Sequence, residues 1–202
     1  MKTISRRFVV PLALLASTVI LGACANSNGD KVITYHADYP AYDSADNLFN
    51  TADLIVEATV STQPVSVQEL KPDTAGDDPK LNPAAGAPTA EVAQPPDPVV
   101  ISVYKASVTK VYKGAAQVGQ SIDIQQLGGK LNGITYQEEE AHALQQNQGY
   151  VLFLQTYPDA PAALLNPLQG QYPLNAKGEP AQLQENPVAL TSDDLNRLSG
   201  HR

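Results

Sequence analysis

Residues 99–114 read VVISVYKASVTKVYKG, a long run rich in strand-forming residues. One parity of this run is shared by Val100, Ser102, Tyr104, Ala106 and Val108, as the period of two in a β-strand requires. Val111 has the opposite parity, which predicts a β-bulge near Thr109 and Lys110. Bulges bend long strands as the closure of a small barrel requires. The stretch therefore predicts a bent barrel strand.

Several other segments carry strand or helix signals. The predicted strands are DLIVEATVS (53–61), SIDIQQL (121–127), GYVLFLQTY (149–157) and one or two short edge strands within 163–174. Gly128 and Gly129 are predicted to end the second of these, with a turn across 128–133. The predicted helices are 44–52 with Ser44 as N-cap, 138–147 with acids in its first turn, and 191–199 capped by Thr191 or Ser192.

A proline-rich segment, residues 64–98, separates the first two predicted strands. It holds eight of the 16 prolines and no aromatic residue, so it offers few backbone donors and little apolar surface to offset the entropy of ordering. We expect a disordered insertion. Two interpretations stay open: an insertion tolerated between strands, and a spacer or partner-docking tract through which the protein acts.

The order of strand, long bent strand, strand, helical linker and two more strands resembles the oligonucleotide/oligosaccharide-binding (OB) barrel. The segments ADLIVEATV, VTKVYKG, VGQSIDIQQLGG, GYVLFL and LQGQYPL also resemble a group of uncharacterised bacterial lipoproteins. The expected fold class is mainly β (α+β): a small five-stranded OB-like barrel with short helices, forming one domain over 44–198. The resemblance implies a fold and a location and brings no catalytic residues.

The N-terminus has the pattern of an export signal. Basic residues precede an apolar run from Phe8 to Ala23, which is shorter than the roughly 20 residues that a spanning helix needs. Leu21-Gly22-Ala23-Cys24 resembles the bacterial lipobox, which implies removal of residues 1–23 and acylation of Cys24 with diacylglycerol and palmitate-like chains. Residues 24–43 would be a lipid-anchored linker, and 199–202 a short tail. Both an ordinary and a twin-arginine export route remain open.

Charge and cysteine count limit the partners. Loss of residues 1–23 removes three of the 13 basic residues and none of the 21 acidic ones, leaving a formal charge of −11. Such a chain repels phosphate backbones, which disfavours nucleic acid and leaves the lipid as the link to the membrane. Cys24 is the only cysteine, so neither a disulfide nor a cysteine nucleophile is expected. The predicted location is the extracytoplasmic face of the cell membrane, or the outer membrane where two membranes exist.

Three constellations are candidates for chemistry or recognition. Ser102-Val103-Tyr104-Lys105 has the Ser-x-x-Lys spacing of serine penicillin-recognising enzymes, but on a strand these two residues point to opposite faces. Glu138, Glu139 and His142 would share a helix turn and offer metal ligands; a solvated acidic first turn is the alternative. Tyr35, Tyr39 and Tyr42 are either a recognition patch or a segment docked on the barrel.

The sequence thus favours a lipid-anchored extracytoplasmic protein that binds a protein partner or an envelope glycan without catalysis and without a cofactor. Cys24 is the only residue with an assigned role. The alternatives are an envelope hydrolase or metal-dependent enzyme that uses Glu138, Glu139 and His142, and a surface spacer that acts through its proline-rich loop.

Overall fold

The computed structural model describes residues 31–61, 64, 66–70, 99–139 and 141–200. The predicted signal peptide, Cys24 and most of the predicted insertion lie outside these residues. The described part forms nine strands and two helices: β1 (Lys31–Tyr35), α1 (Ala45–Thr51), β2 (Leu54–Val60), β3 (Ser66–Leu70), β4 (Val99–Lys113), β5 (Ser121–Leu131), β6 (Ile134–Glu138), β7 (Gly149–Gln155), β8 (Ala162–Leu164), β9 (Gln171–Pro173) and α2 (Ser192–Ser199).

Five of these strands close into a barrel, which confirms the predicted OB-like fold. β2 pairs with β4 and with β7, and β4 also pairs with β5. β8 completes the ring, because it pairs in parallel with β5 and antiparallel with β7. β1 and β6 extend the sheet from the far end of β5, β3 pairs with the start of β4, and β9 with β7.

The bend predicted in the long strand is present. Opposite β2, the partners along β4 pass from Lys110 to Val108 and from Lys113 to Val111, so Thr109 and Tyr112 are the extra residues. The first of these bulges lies where the change of parity predicted it. Two bulges bend β4, whose residues 101–107 pair with β5 and whose residues 106–113 pair with β2.

Two apolar cores lie on the two sides of the barrel wall. The inner core fills the barrel and includes Val56, Ile124 and Leu152. The outer core packs both helices against the outward face of β2 and β7, around Phe49, Phe153 and further residues: Ile55, Tyr172, Leu190 and Leu195. Strands β2 and β7 are therefore apolar on both faces, as their near-continuous hydrophobic sequences require.

Both helices begin at the positions that their capping residues predict. The backbone N–H of Asn47 donates to Ser44 Oγ at 3.3 Å. Thr191 forms a reciprocal capping box with Asp194. Arg197 of α2 then donates two hydrogen bonds to the carboxylate of Asp46 in α1, at 2.9 and 3.1 Å, and so joins the two helices across the outer core.

The predicted helix over 138–147 is wrong. Glu138 ends β6, and residues 141–145 follow an irregular path across one end of the barrel. The amide of Gln126 holds this segment, accepting from Leu144 N at 2.9 Å and donating to His142 O at 3.1 Å. Leu144 is thereby inserted into the inner core. These contacts outweigh the helical propensity of the segment, which is a weak preference.

Replacing Gln126 with leucine is expected to lower the free energy of unfolding by about 2 kcal/mol, because the buried N–H of Leu144 loses its acceptor. Chemical denaturation followed by circular dichroism measures the loss. Gln125→Leu is the control, since this side chain is on the other face of β5 and more exposed. A change within about 0.5 kcal/mol is expected there. Equal losses in both variants would contradict the role given to Gln126.

Domain boundaries also need correction. Residues 31–43 belong to the folded body rather than to a linker, since β1 pairs with β6 along all five of its residues. β3 lies inside the predicted insertion 64–98 and pairs with β4; residues 71–98 lie outside the described part, where the insertion stays a prediction. The strand predicted over 121–127 is too short, because β5 does not end at Gly128 but continues to Leu131.

Candidate functional site

An open cleft of about 800 Å³ lies at one end of the barrel. We call it the hairpin cleft, because the loop of the β4–β5 hairpin (residues 114–120) forms one wall. The start of β5 and the β7–β8 loop, residues 156–161, form the others. A cleft of this size is within the range of about 300–1,000 Å³ found for small-molecule sites.

Barrel closure positions these walls. β8 pairs with β5 through Ile124 and Ala162, which brings the end of the β7–β8 loop beside the start of β5. The other end of that loop is held by Asp53, whose carboxylate accepts a hydrogen bond from Thr156 N at 3.0 Å. The fold therefore fixes the cleft, because β5 and β8 are distant in sequence but paired in the barrel.

The side chains of the hairpin cleft offer a mixture of polar groups beside one aromatic ring. Tyr157 is 41% exposed, although the side chain is large and apolar. Lys105 and Asp123 form an ion pair at 2.6 Å on the outward face of β4 and β5. The remaining polar lining consists of Asp53, Gln120, Ser121, Thr156 and Asp159. Hydroxyl, amide and carboxylate groups next to a ring can recognise a hydroxyl-rich ligand.

Charge in the cleft disfavours phosphate. Asp53, Asp123 and Asp159 line it, and Lys105 is the only basic residue in its lining among the described residues. A phosphodiester in the cleft would face repulsion from these carboxylates.

Two smaller cavities, of about 240 and 260 Å³, lie at the opposite end of the barrel and share Gln126, Leu127 and Ala141 in their walls. Several of their polar groups are committed to the fold. Ser102 Oγ donates to Gly128 O at 2.8 Å, and Gln126 holds the 142–144 segment as described above. Lys105, by contrast, is exposed and pairs with Asp123. Ser102 and Lys105 thus lie on opposite faces of β4, as predicted from their spacing.

The three residues of the predicted metal or hydrolase site do not converge. Glu138 is buried and lines the larger of the two end cavities. Glu139 instead contacts His36, with 2.7 Å between its Oε2 and Nδ1 of the histidine. His142 Nε2 lies 3.4 Å from Glu185. Across the part of the chain that the structure describes, no group of three His, Cys, Asp or Glu side chains is placed to hold a metal ion.

The N-terminal tyrosines dock onto the barrel. The ring of Tyr35 stacks on Tyr136 with centroids 5.9 Å apart. Burial, followed by the charge of Glu138, raises the pKa of Tyr39. Tyr42 packs on the outer core, and its backbone exchanges two hydrogen bonds with the amide of Gln169, at 2.9 and 2.7 Å. Of the two interpretations of these tyrosines, the structure supports the docked segment.

Sequence reasoning did not find the hairpin cleft. Its residues come from four separate segments and match no motif; the one local signal is an exposed Tyr157 followed by Pro158, Asp159 and Pro161, a turn-rich loop.

No model of a known protein family matches the chain, and no curated protein matches its sequence. Neither helix of the described residues is long and apolar enough to cross a membrane.

Proposed function

We propose that this protein is a lipid-anchored extracytoplasmic binding module whose hairpin cleft binds a neutral envelope glycan without catalysing a reaction. The observation that carries the proposal is the cleft itself, in which an exposed tyrosine ring stands beside uncharged and acidic hydrogen-bonding groups. OB barrels bind oligosaccharides on the face of their second and third strands and at the loops before the second and fifth strands. Of these elements the cleft uses Lys105 of β4, the first residues of β5 and the β7–β8 loop; the loop before β4 lies mostly outside the described residues.

The anchor is supported by the sequence. Leu21-Gly22-Ala23-Cys24 follows an apolar run preceded by basic residues, and Cys24 is the only thiol in the chain. Two acyl chains hold a protein stably on a bilayer, whereas one chain gives only reversible binding. Acylation of Cys24 with diacylglycerol would place the barrel at the extracytoplasmic face of the membrane, where envelope glycans are found.

Cys24→Ser is expected to move the protein from the membrane fraction to the soluble fraction, because it removes the acylated thiol. Cell fractionation measures the change, and mass spectrometry of the wild-type N-terminus tests for cleavage before Cys24 with added diacylglycerol. Membrane association of the Cys24→Ser chain would contradict the anchor.

For the cleft, Tyr157→Ala is expected to weaken binding to isolated cell-wall glycan about tenfold, because a ring in contact with a sugar contributes both apolar area and stacking. Co-sedimentation with the insoluble glycan measures the affinity. Val32→Ala, an exposed apolar residue at the opposite end of the barrel, is the control and should bind like the wild type. Equal binding by the two variants would contradict the assignment of the cleft. Retention of a protein in place of glycan would favour the alternative partner.

A further inference from the structure

The folded body has a fixed attachment point for the predicted anchor. β1 pairs in parallel with β6 from Lys31 opposite Ile134 to Tyr35 opposite Glu138. Tyr35 fastens the strand to β4 as well, because its hydroxyl accepts a hydrogen bond from Val100 N at 2.9 Å. The chain that leads to Cys24 therefore joins the barrel at one rigid place, the Lys31 end of β1.

That place and the hairpin cleft lie at opposite ends of β5. The cleft is lined by the first residues of β5, from Ser121 to Asp123. The last residue of β5, Leu131, pairs with Ile134, and Ile134 in turn pairs with Lys31. β5 has 11 residues, so at a rise of about 3.3 Å per residue the two ends are separated by up to about 33 Å.

The connection to the anchor is shorter than this distance. Six residues lie between Cys24 and Lys31, and at the extended limit of about 3.5 Å per residue their seven virtual bonds span about 25 Å. The Lys31 end of the barrel therefore stays within about 25 Å of the acylated cysteine. When β5 is perpendicular to the membrane, the β4–β5 hairpin is farther from the membrane than the Lys31 end by up to the length of β5, about 33 Å.

Charge favours the same orientation. The attachment end exposes Lys31 and the apolar Val32, whereas Asp53, Asp123 and Asp159 line the cleft. Anionic head groups attract the charge of Lys31 and repel the three carboxylates. The acidic residue Glu139 lies at the other end of β1, where its backbone N–H donates to Tyr35 O.

We infer that the Lys31 end of β1 faces the bilayer and that the hairpin cleft is presented away from it, toward ligands outside the membrane surface. This inference rests on the lipid anchor proposed above and adds an orientation to it.

Single-site labelling tests the orientation. The acylated thiol of Cys24 is the only one in the chain, so Val32→Cys and Val118→Cys each give one reactive site. Both positions are exposed, at 51% and 69%, and Val118 lies in the β4–β5 hairpin. Each variant of the lipidated protein is labelled with a fluorophore and bound to phosphatidylcholine vesicles that carry nitroxide on their head groups.

The label at 32 should be quenched at least twice as strongly as the label at 118. Equal quenching, or stronger quenching at 118, would overturn the inference while leaving the anchor intact. Lipidated protein that fails to sediment with the vesicles would contradict the anchor, and the orientation with it. The same labels on Cys24→Ser chains give the unbound baseline.

A longer connection supplies the matched control. Insertion of 20 glycine and serine residues after Ser27 gives a flexible tether with a mean span of about 28 Å and a much longer maximum reach. The difference in quenching between positions 32 and 118 should shrink to less than half of its original value. A difference that survives the insertion unchanged would contradict the short tether as its cause.

Discussion

Phe153→Ala is expected to lower the free energy of unfolding by about 4 kcal/mol, because alanine leaves a cavity that the outer core cannot fill. Phe153 is fully buried on the outward face of β7. Its ring meets Tyr172 edge to face, with centroids 5.9 Å apart. Since both helices pack on the same cluster, the loss acts on the attachment of the helices as well as on one side chain.

Equilibrium denaturation of the Cys24→Ser chain, followed by circular dichroism, measures this loss. The backbone of Phe153 donates to Gly170 O and accepts from Leu165 N, and alanine keeps both hydrogen bonds. Tyr157→Ala is the control: this residue is exposed in the loop two residues beyond the end of β7, and a change within about 0.5 kcal/mol is expected. A loss below 1 kcal/mol in Phe153→Ala would show that the helices contribute little to the stability of the barrel.

The parts of the fold that sequence predicted are those whose signals are local. Alternating apolar residues gave β2 and β4, and the change of parity after Val108 located a bulge. Ser44 and Thr191 located the helix starts, because a cap depends on residues within one turn. Closure of the ring by the three residues of β8 has no such signal, and there the resemblance to an OB barrel supplied the topology.

Tertiary contacts decided the rest. Residues 138–147 have a helical composition, but Gln126, distant in sequence, binds their backbone and draws Leu144 into the barrel. β1 reads KVITY, which is rich in strand-forming residues, but it was included in the predicted linker. Its partner β6 lies about one hundred positions later and cannot be identified from the segment itself. Propensity alone therefore assigned 138–147 wrongly, whereas the strand signal of 31–35 was overlooked.

The candidate site was unpredictable for a related reason. A metal site was considered at Glu138, Glu139 and His142 because helical spacing would bring them together. Without the helix, their side chains contact three different regions of the protein. The hairpin cleft instead collects residues that are separated by up to about one hundred positions, such as Asp53 and Thr156, which the pairing of β2 with β7 makes neighbours.

Gly128 explains why the strand predicted over 121–127 is shorter than β5. A Gly-Gly pair is a turn signal, yet β5 passes through this pair and forms a hairpin with β6. The backbone of Gly128 has φ +97°, and a Cβ at this position would lie 2.7 Å from the carbonyl oxygen of Tyr136. Glycine is therefore the residue that allows β6 to approach, and the true turn lies later, at Asn132 and Gly133.

Gly128→Ala is accordingly expected to lower the free energy of unfolding by about 3 kcal/mol. A left-handed conformation costs an alanine about 1–2 kcal/mol, and the contact with the backbone of β6 adds to this because a paired carbonyl cannot turn away. Gly133→Ala separates the two effects: its φ is +78° and no atom lies within 4 Å of the added Cβ, so only the conformational cost remains. Denaturation midpoints compare the two variants, and amide hydrogen exchange in β6 and β1 reports whether the hairpin has opened. Equal losses in both variants would mean that conformation, and not the approach of β6, explains the glycine.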